Sequence, residues 1–359
     1  MPFVGSPNQV KQPIFRLDER LETPVLKIQK LGGGLFWTKG EWGANTGFLV
    51  GSDGVLVIDA KATEKATKKV VAEIKKITNK PITKVIFTHS DVDCINGFEG
   101  YPENAEIICS LGTKQEFQSL LPTQLEMNAP LEIYNSNMTR LFLPAVSFDG
   151  QLNFRFDFEQ VELSHYCTAH TRGDTIVFFP AKSVAFIGDL VFVGRDPLVQ
   201  DQKGGYSFGF VRALSILLNQ KPEIQTFIPS HADPLGREEL KNILKSIEEI
   251  QAKVMVMVDE GKTLDEVKKA FGIQDPPLEE GLWVWPSLAV TVYRELTEKK
   301  IKKYQAGGNS PMSKKQIIPV FCLLTCGLLA LFISSPAFGL EPGSHAQYLA
   351  YARASADWT

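Results

Sequence analysis

Cysteine and histidine are scarce in this chain, with five of each in 359 residues. Five cysteines spread over that length do not make a disulfide framework, and with so few histidines the position of each one carries information. A basic surplus is also missing. The formal net charge is −3 and the pI about 6.0, so nothing suggests a nucleic-acid phosphate backbone as partner. Hydrophobic residues at 44% and charged residues at 22% exclude a disordered chain, a collagen-like repeat and a multi-pass membrane protein. At the N-terminus, Met1-Pro-Phe-Val-Gly-Ser-Pro7 has no basic stretch ahead of an apolar one, so no secretory signal is expected before the main domain.

Long uncharged apolar runs are absent with one exception, Ile317–Ile333. Residues 1–300 carry a net charge of −6 and the remaining 59 a net of +3, so the tail differs in kind from the rest. Two readings of it stand side by side. Its 17 residues are at the lower limit for crossing a bilayer. Lys302, Lys303, Lys314 and Lys315 precede it, so an anchor would keep the main domain cytoplasmic. Alternatively, Met312-Ser-Lys-Lys315, the apolar run and Ala337-Phe-Gly339 have the shape of a secretory signal joined to a complete enzyme. Either way the tail should lie outside the catalytic fold. The expected organisation is an N-terminal extension (1–20), one domain (21–300), a basic linker (301–316), the apolar segment (317–333) and a polar end (334–359).

Within the domain, strand and helix patterns alternate. Val25–Leu31, Phe48–Val50 and Val55–Ile58 read as strands, with a turn at Ser52-Asp53-Gly54. From Lys65 to Ile77, Ala66, Val70, Val71, Ile74 and Ile77 form a stripe of helical period. Ile82–Thr88 is a further strand that runs directly into His89. The rhythm returns with strands at Thr175–Phe179, Val184–Ile187 and Thr226–Ile228, and helices at Val211–Leu218, Glu238–Val256 and Leu288–Lys299. Polar residues gather where strands end, which predicts an α/β architecture with its site at the strand ends.

The chemistry concentrates in Thr88-His89-Ser90-Asp91-Val92-Asp93-Cys94-Ile95-Asn96-Gly97. Four side chains able to bind a metal, His89, Asp91, Asp93 and Cys94, fall within six residues directly after a buried strand. Three more follow at strand ends: His170 in Ala169-His-Thr-Arg-Gly-Asp174, Asp189 in Ile187-Gly-Asp-Leu190, and His231 in Ile228-Pro-Ser-His231. The seven candidates use three of the five histidines.

These four blocks, in this order, resemble the metallo-β-lactamase superfamily over about residues 20–300. That family's loop reads Thr-His-x-His-x-Asp-His-x-x-Gly, followed by a His-Thr-x-Gly, a Gly-Asp and a late Gly-His. The resemblance implies a four-layer αβ/βα sandwich with metals at one edge between two sheets. It assigns His89, Asp91 and His170 to a first metal, Asp93, Cys94 and His231 to a second, and Asp189 as the bridge. Asp91 stands where the family has its second His and Cys94 where it has its third, while Pro229-Ser-His231-Ala replaces Gly-His-Gly. Both exchanged residues still bind metals, which favours a modified site over a dead one.

The implied reaction is metal-assisted hydrolysis of an ester, thioester, lactone or amide, with a metal-bound hydroxide as nucleophile and Asp93 orienting it. Asp59, at the end of Val55–Ile58, and Thr88 are candidates to hold the ligand loop from behind. One or two zinc ions are expected because Cys94 is a soft ligand. Iron or manganese is the alternative, because carboxylate with imidazole suits them and the family's di-iron proteins carry a carboxylate at the position of Asp91. By charge, Asp91, Asp93, Asp189 and a Cys94 thiolate would offset two divalent ions completely, which makes a weak Lewis acid. Two other functions remain open, a non-haem iron redox or dioxygenase protein on the same fold and a catalytically silent metal-binding protein. The expected partner is a small-molecule substrate, with membrane association only through 317–333.

Other residues read as ordinary structure. His165 alternates with Val161 and Leu163 along a strand, and Cys109 and Cys167 read as core. Trp283, Trp285 and Tyr293 read as packing, with a Trp available to line a cleft. Lys203-Gly-Gly-Tyr-Ser-Phe-Gly209 has the flexibility of an active-site loop but no phosphate-loop spacing. Asn137-Met-Thr139 matches a glycosylation triplet and has no weight without a secretory context.

Overall fold

Every side chain of the strand Val55–Ile58 is buried. Successive strand side chains point to opposite faces, so such a run needs an apolar layer on each side of its sheet. The computed structural model, which describes residues 14–16, 25–41, 43–126, 145–274 and 282–305, supplies both layers.

The first described strand, β1 (Ile14–Arg16), lies within the segment read as an extension and pairs antiparallel with Leu282–Val284. The first large sheet follows, in spatial order β2 (Lys27–Gly32), β3 (Leu35–Lys39), β4 (Thr46–Val50), β5 (Val55–Ile58), β6 (Ile82–Ile86), β7 (Glu106–Ser110) and β8 (Val146–Phe148). It is antiparallel from β2 to β5 and parallel from β5 to β8. Its helices are α1 (Glu64–Ile77), the single turn α2 (Val92–Ile95) and α3 (Leu111–Glu126). The second sheet comprises β9 (Gln151–Phe156), β10 (Glu159–Ser164), β11 (Ile176–Phe179), β12 (Val184–Gly188) and β13 (Thr226–Pro229), hydrogen-bonded in the order β13-β12-β11-β10-β9. Around it run α4 (Ser207–Asn219), α5 (Arg237–Asp259), α6 (Leu264–Phe271), the short strand β14 (Leu282–Val284) and α7 (Leu288–Gln305).

Three apolar clusters define the layers. Leu56 and Ile58 of β5, with Trp37 and Ile86, meet Leu163, Val177, Phe179 and Phe186 between the two sheets. The opposite face of the first sheet, through Val55, Val57 and Phe87, packs on Val70 and Ile74 of α1 and on Phe117. The outer face of the second sheet, through Ile176, Phe178 and Ile187, packs on Phe210 and Leu214 of α4, Ile247 and Val254 of α5, and Val292 of α7. The order helix, sheet, sheet, helix is the expected four-layer αβ/βα sandwich.

Local expectations differ from the structure at several element ends: α4 begins at Ser207 rather than Val211, and α5 runs to Asp259 rather than Val256. Ile77 closes the apolar stripe of α1 in sequence, yet as the last residue of the helix it is 44% exposed. Helix α7 runs to Gln305 rather than Lys299, since Lys299-Lys-Ile-Lys-Lys-Tyr-Gln305 has no glycine or proline to stop it. The apolar segment 317–333, the polar end 334–359 and Asn137-Met-Thr139 lie outside the described residues, as does most of the linker. Among the described residues no helix is long and apolar enough to cross a membrane.

Candidate metal centre

The ligand loop begins where β6 ends and is held from several sides. Thr88, His89, Ser90, Asp91, Asp93 and Cys94 are all buried, a placement that costs free energy unless each polar group finds a partner. The single turn α2 carries Asp93 and Cys94. Backbone bonds pin it from neighbouring loops, from Ala60 N to Cys94 O (2.6 Å) and from Ala44 N to Asp93 O (3.1 Å). A Cβ on Gly43, whose φ is +113°, would meet Ala62 N and Asp93 O, so only glycine lets this loop approach so closely.

Six contacts join the seven candidate residues. His170 Nε2 lies 3.1 Å from Asp91 Oδ2 and 3.5 Å from Asp189 Oδ2, and His89 Nε2 lies 3.6 Å from the same Asp189 oxygen. The donors of His89, Asp91, His170 and Asp189 all fall within 4.8 Å of one another. On the other side, His231 Nε2 is 3.2 Å from Asp93 Oδ2 and 3.4 Å from Asp189 Oδ1. Cys94 Sγ lies 3.6 Å from His89 Nε2. Asp189 therefore turns one oxygen to each group. It follows Gly188, whose φ of +55° falls where the β12–β13 register shifts, so the chain swings the carboxylate inward at that point.

The donor set fits a metal. Ligand atoms about 2.0–2.1 Å from a tetrahedral zinc lie about 3.4 Å apart, close to the spacings found here. Both Asp93 oxygens are buried without a hydrogen-bond donor, although His231 is within ion-pair distance. The imidazoles are aimed from behind. His170 Nδ1 donates to Leu198 O at 2.8 Å, leaving Nε2 to face the cluster. Thr88 Oγ1 gives its one proton to Asp59 Oδ2 at 2.8 Å, so at 2.9 Å it accepts from His89 Nδ1. Asp59 and Thr88 thus form a hydrogen-bonded chain behind His89.

Charges inside the cluster reinforce one another. Burial alone would favour neutral imidazoles, but Asp189, Asp91 and Asp59 outweigh it and push His89 up to about 10. Asp189 and Asp93 do the same for His231, also up to about 10. Burial would raise Asp189, yet the facing His231 and His89 hold it well below the usual carboxylate range. Burial and the neighbouring carboxylates push the Cys94 thiol well above its ordinary value.

Asp59 itself is buried, which raises its carboxyl to about 7 against the pull of His89. It sits at φ 57°, a left-handed conformation that Asp and Asn tolerate better than most residues. Its carboxylate also accepts from Thr88 N at 2.8 Å. Asp59→Ala strands two buried donors and adds backbone strain, so it is expected to destabilise the fold by about 3 kcal/mol in urea unfolding. Asp59→Asn, which keeps one acceptor and the backbone preference, should cost less than half of that.

Two buried lysines were invisible to sequence reasoning. Lys203 sits in the Gly-rich segment that reads as a flexible loop, yet its Nζ is buried and reaches Asp91 Oδ1 at 2.6 Å and Ser90 O at 2.9 Å. The segment is a short turn running into α4, and Gln200 Nε2 adds a bond to Asp91 Oδ2 at 3.0 Å. Lys61 is fully buried and caps the Gly40 and Ala44 carbonyls. The only signal for Lys203 was an excess of buried carboxylates in need of a cation. The residues read as structural behave so: His165 Nδ1 donates to Asp174 O (2.8 Å), Cys109 lies in the core of β7, and the Cys167 thiol donates to Gly209 O. Trp285 packs on Phe192 at 5.0 Å, and Phe192 stacks on His231 at 5.9 Å, so an aromatic wall adjoins the cluster.

A profile of the metallo-beta-lactamase superfamily matches residues 40–258. A metallo-beta-lactamase type 2 of Elizabethkingia meningoseptica is 25% identical over 240 residues, covering 65% of this chain and 89% of that protein. A metallo-beta-lactamase type 2 of Bacillus cereus is 22% identical over 242 residues, covering 65% and 87%. Among solved structures, a metallo-beta-lactamase from Pontibacter korlensis superposes with a TM-score of 0.51 at 17% identity, over 62% of this chain and 99% of that one. A stereoselective inverting sec-alkylsulfatase from Pseudomonas sp. gives 0.55 at 14% identity, over 76% of this chain and 50% of that one. At these identities the structural likeness is one of fold.

Proposed function

This chain belongs to the metallo-β-lactamase superfamily, and on that premise we propose that its cluster holds two zinc ions and hydrolyses an ester, thioester, lactone or amide. The observation that carries the two-ion reading is the division of Asp189, with Oδ2 toward His89 and His170 and Oδ1 toward His231. His89, Asp91 and His170 would hold one ion and Asp93, Cys94 and His231 the other, with Asp189 between them. Ions bound there supply Lewis acidity toward the carbonyl and the leaving group and make water a better nucleophile near neutral pH.

The protein's own contribution is position and proton handling. Asp93, whose two oxygens lack hydrogen-bond donors, is placed to orient the attacking water and take its proton. The chain Asp59–Thr88–His89 and the Leu198 carbonyl keep two imidazoles from rotating. Phe192 and Trp285 give the region beside His231 an apolar wall that excludes bulk water from that side.

Metal analysis of the purified full chain tests this reading. Two zinc ions per chain are expected, and Cys94→Ala should lower the content toward one. Stoichiometric iron would replace the hydrolytic reading with the redox one, and a chain with no tightly bound metal would sink both. Two ions bound with unchanged affinity in Cys94→Ala would remove Cys94 from the ligand set. A screen of ester, thioester and lactam substrates against the zinc-loaded chain then fixes the substrate class.

A further inference from the structure

We propose that Lys203 and Asp91 act as one unit, a lysine-neutralised carboxylate that offers the metal a single oxygen from an uncharged pair, much as an imidazole offers a single nitrogen. The inference rests on the reading of Asp91 as a ligand and goes beyond it by giving that ligand an obligatory partner.

Geometry carries the argument. Asp91 Oδ1 is taken by Lys203 Nζ at 2.6 Å, with the two side chains 0% and 7% exposed. The other oxygen, Oδ2, faces His170 Nε2 and is steadied by Gln200 Nε2 at 3.0 Å. Asp91 can therefore present only one oxygen, in one orientation. Lys203 has no freedom to leave, because Nζ also donates to Ser90 O and its backbone is tied into the His170 loop. Lys203 N bonds Gln200 O (2.9 Å), Gln200 N bonds His170 O (2.9 Å), and Arg172 N bonds Lys203 O (3.0 Å). On the far side of Ser90, Glu116 accepts from Ser90 Oγ and from Arg172 N, closing the ring of contacts behind the ligand loop.

Lys203 also corrects the charge count. Asp91, Asp93, Asp189 and a Cys94 thiolate would cancel two divalent ions and leave a poor Lewis acid. With a buried ammonium against Asp91 the centre keeps one positive charge. The aspartate that replaces the family's second histidine is thereby tolerable without loss of electrophilic character. Lys203 is a positioning residue: it acts through Asp91.

A double-mutant cycle with zinc as probe tests the pairing in the full chain. Zinc content after dialysis and zinc affinity by chelator competition are measured for wild type, Asp91→His, Lys203→Met and the double variant. Asp91→His alone restores an imidazole but leaves Lys203 facing the ion without its carboxylate, so affinity should fall roughly 100-fold. Adding Lys203→Met removes that charge and should return affinity to within about tenfold of wild type. Lys203→Met alone removes a partner behind Asp91 but also a positive charge facing the ion, so zinc affinity should fall by no more than about tenfold while turnover drops. Additive effects, or an Asp91→His variant that binds zinc as wild type does, would overturn the pairing. Should Asp91→His fail to fold by circular dichroism, Asp91→Asn with and without Lys203→Met gives the same comparison, with the same rescue expected. A wild-type chain that holds no zinc defeats the parent reading instead, an outcome distinct from a zinc-binding chain with no coupling.

Discussion

Asp189→Ala is expected to empty both halves of the metal centre at once and to leave no measurable hydrolysis. Asp189 is the candidate ligand that turns a separate oxygen to each group, with His231 3.4 Å from one and His170 3.5 Å from the other. The remaining contact between the groups is the weaker approach of Cys94 Sγ to His89 Nε2 at 3.6 Å. Loss of partners behind a ligand already costs 10–100-fold in metal affinity, so loss of a shared ligand should cost at least roughly 100-fold at each position. The metal-free fold should suffer too. His89 and His231 would keep their burial while losing the carboxylate that does most to hold their charge, a change worth about 3–5 kcal/mol for a buried pair. Zinc content by mass spectrometry and a urea unfolding curve of the metal-free variant check the two parts separately. Asp189→Asn, of equal size but without charge, should keep more of the fold than of the metal. An Asp189→Ala chain that still holds two equivalents of zinc would show that the two groups are not joined through this side chain.

How much of this was legible beforehand follows from range in sequence. Strand β5 falls where its apolar run places it; parallel pairing brings the ends of β12 and β13 together, and the packing of the two sheets adds the end of β6. The loop from His89 to Cys94 was readable since four ligating side chains in six residues are a local signal. Asp59 and Thr88 were readable as supports because each adjoins a strand end. Lys203 was not, for it acts across 112 residues on Asp91 from a segment whose glycines speak only of flexibility. A lone lysine has no periodicity, and its pairing depends on a loop packing that no local pattern encodes. The end of α1 at Ile77 falls where its apolar stripe places it, whereas α7 runs on to Gln305 past the expected Lys299 because nothing in Lys299–Gln305 breaks a helix.

The metal-free and metal-loaded chains should respond to pH in opposite directions. Folding raises His89 and His231 from an ordinary value of 6.5 to about 10, because facing carboxylates favour their charged form despite burial. Stabilisation from a raised histidine is complete below its unfolded value and is lost as pH climbs through the folded one. Between pH 6.5 and 8.5 each of the two imidazoles keeps its proton in the fold while the unfolded chain releases it, so the pair should cost about 5 kcal/mol over that interval. His170, raised by Asp91 and Asp189 against its burial, adds in the same direction. For a domain of this size the melting temperature of the metal-free chain should fall by on the order of 10 °C. Zinc requires the same nitrogens without their protons, so its binding releases protons and tightens as pH rises. In excess zinc the melting temperature should therefore hold or climb over the same range. Thermal unfolding at pH 6.5, 7.5 and 8.5 with chelator and with zinc reads both slopes. A metal-free chain whose melting temperature rises with pH would mean that the imidazoles are already neutral in the fold, and that carboxylate-to-histidine charge pairs do not hold the empty centre together.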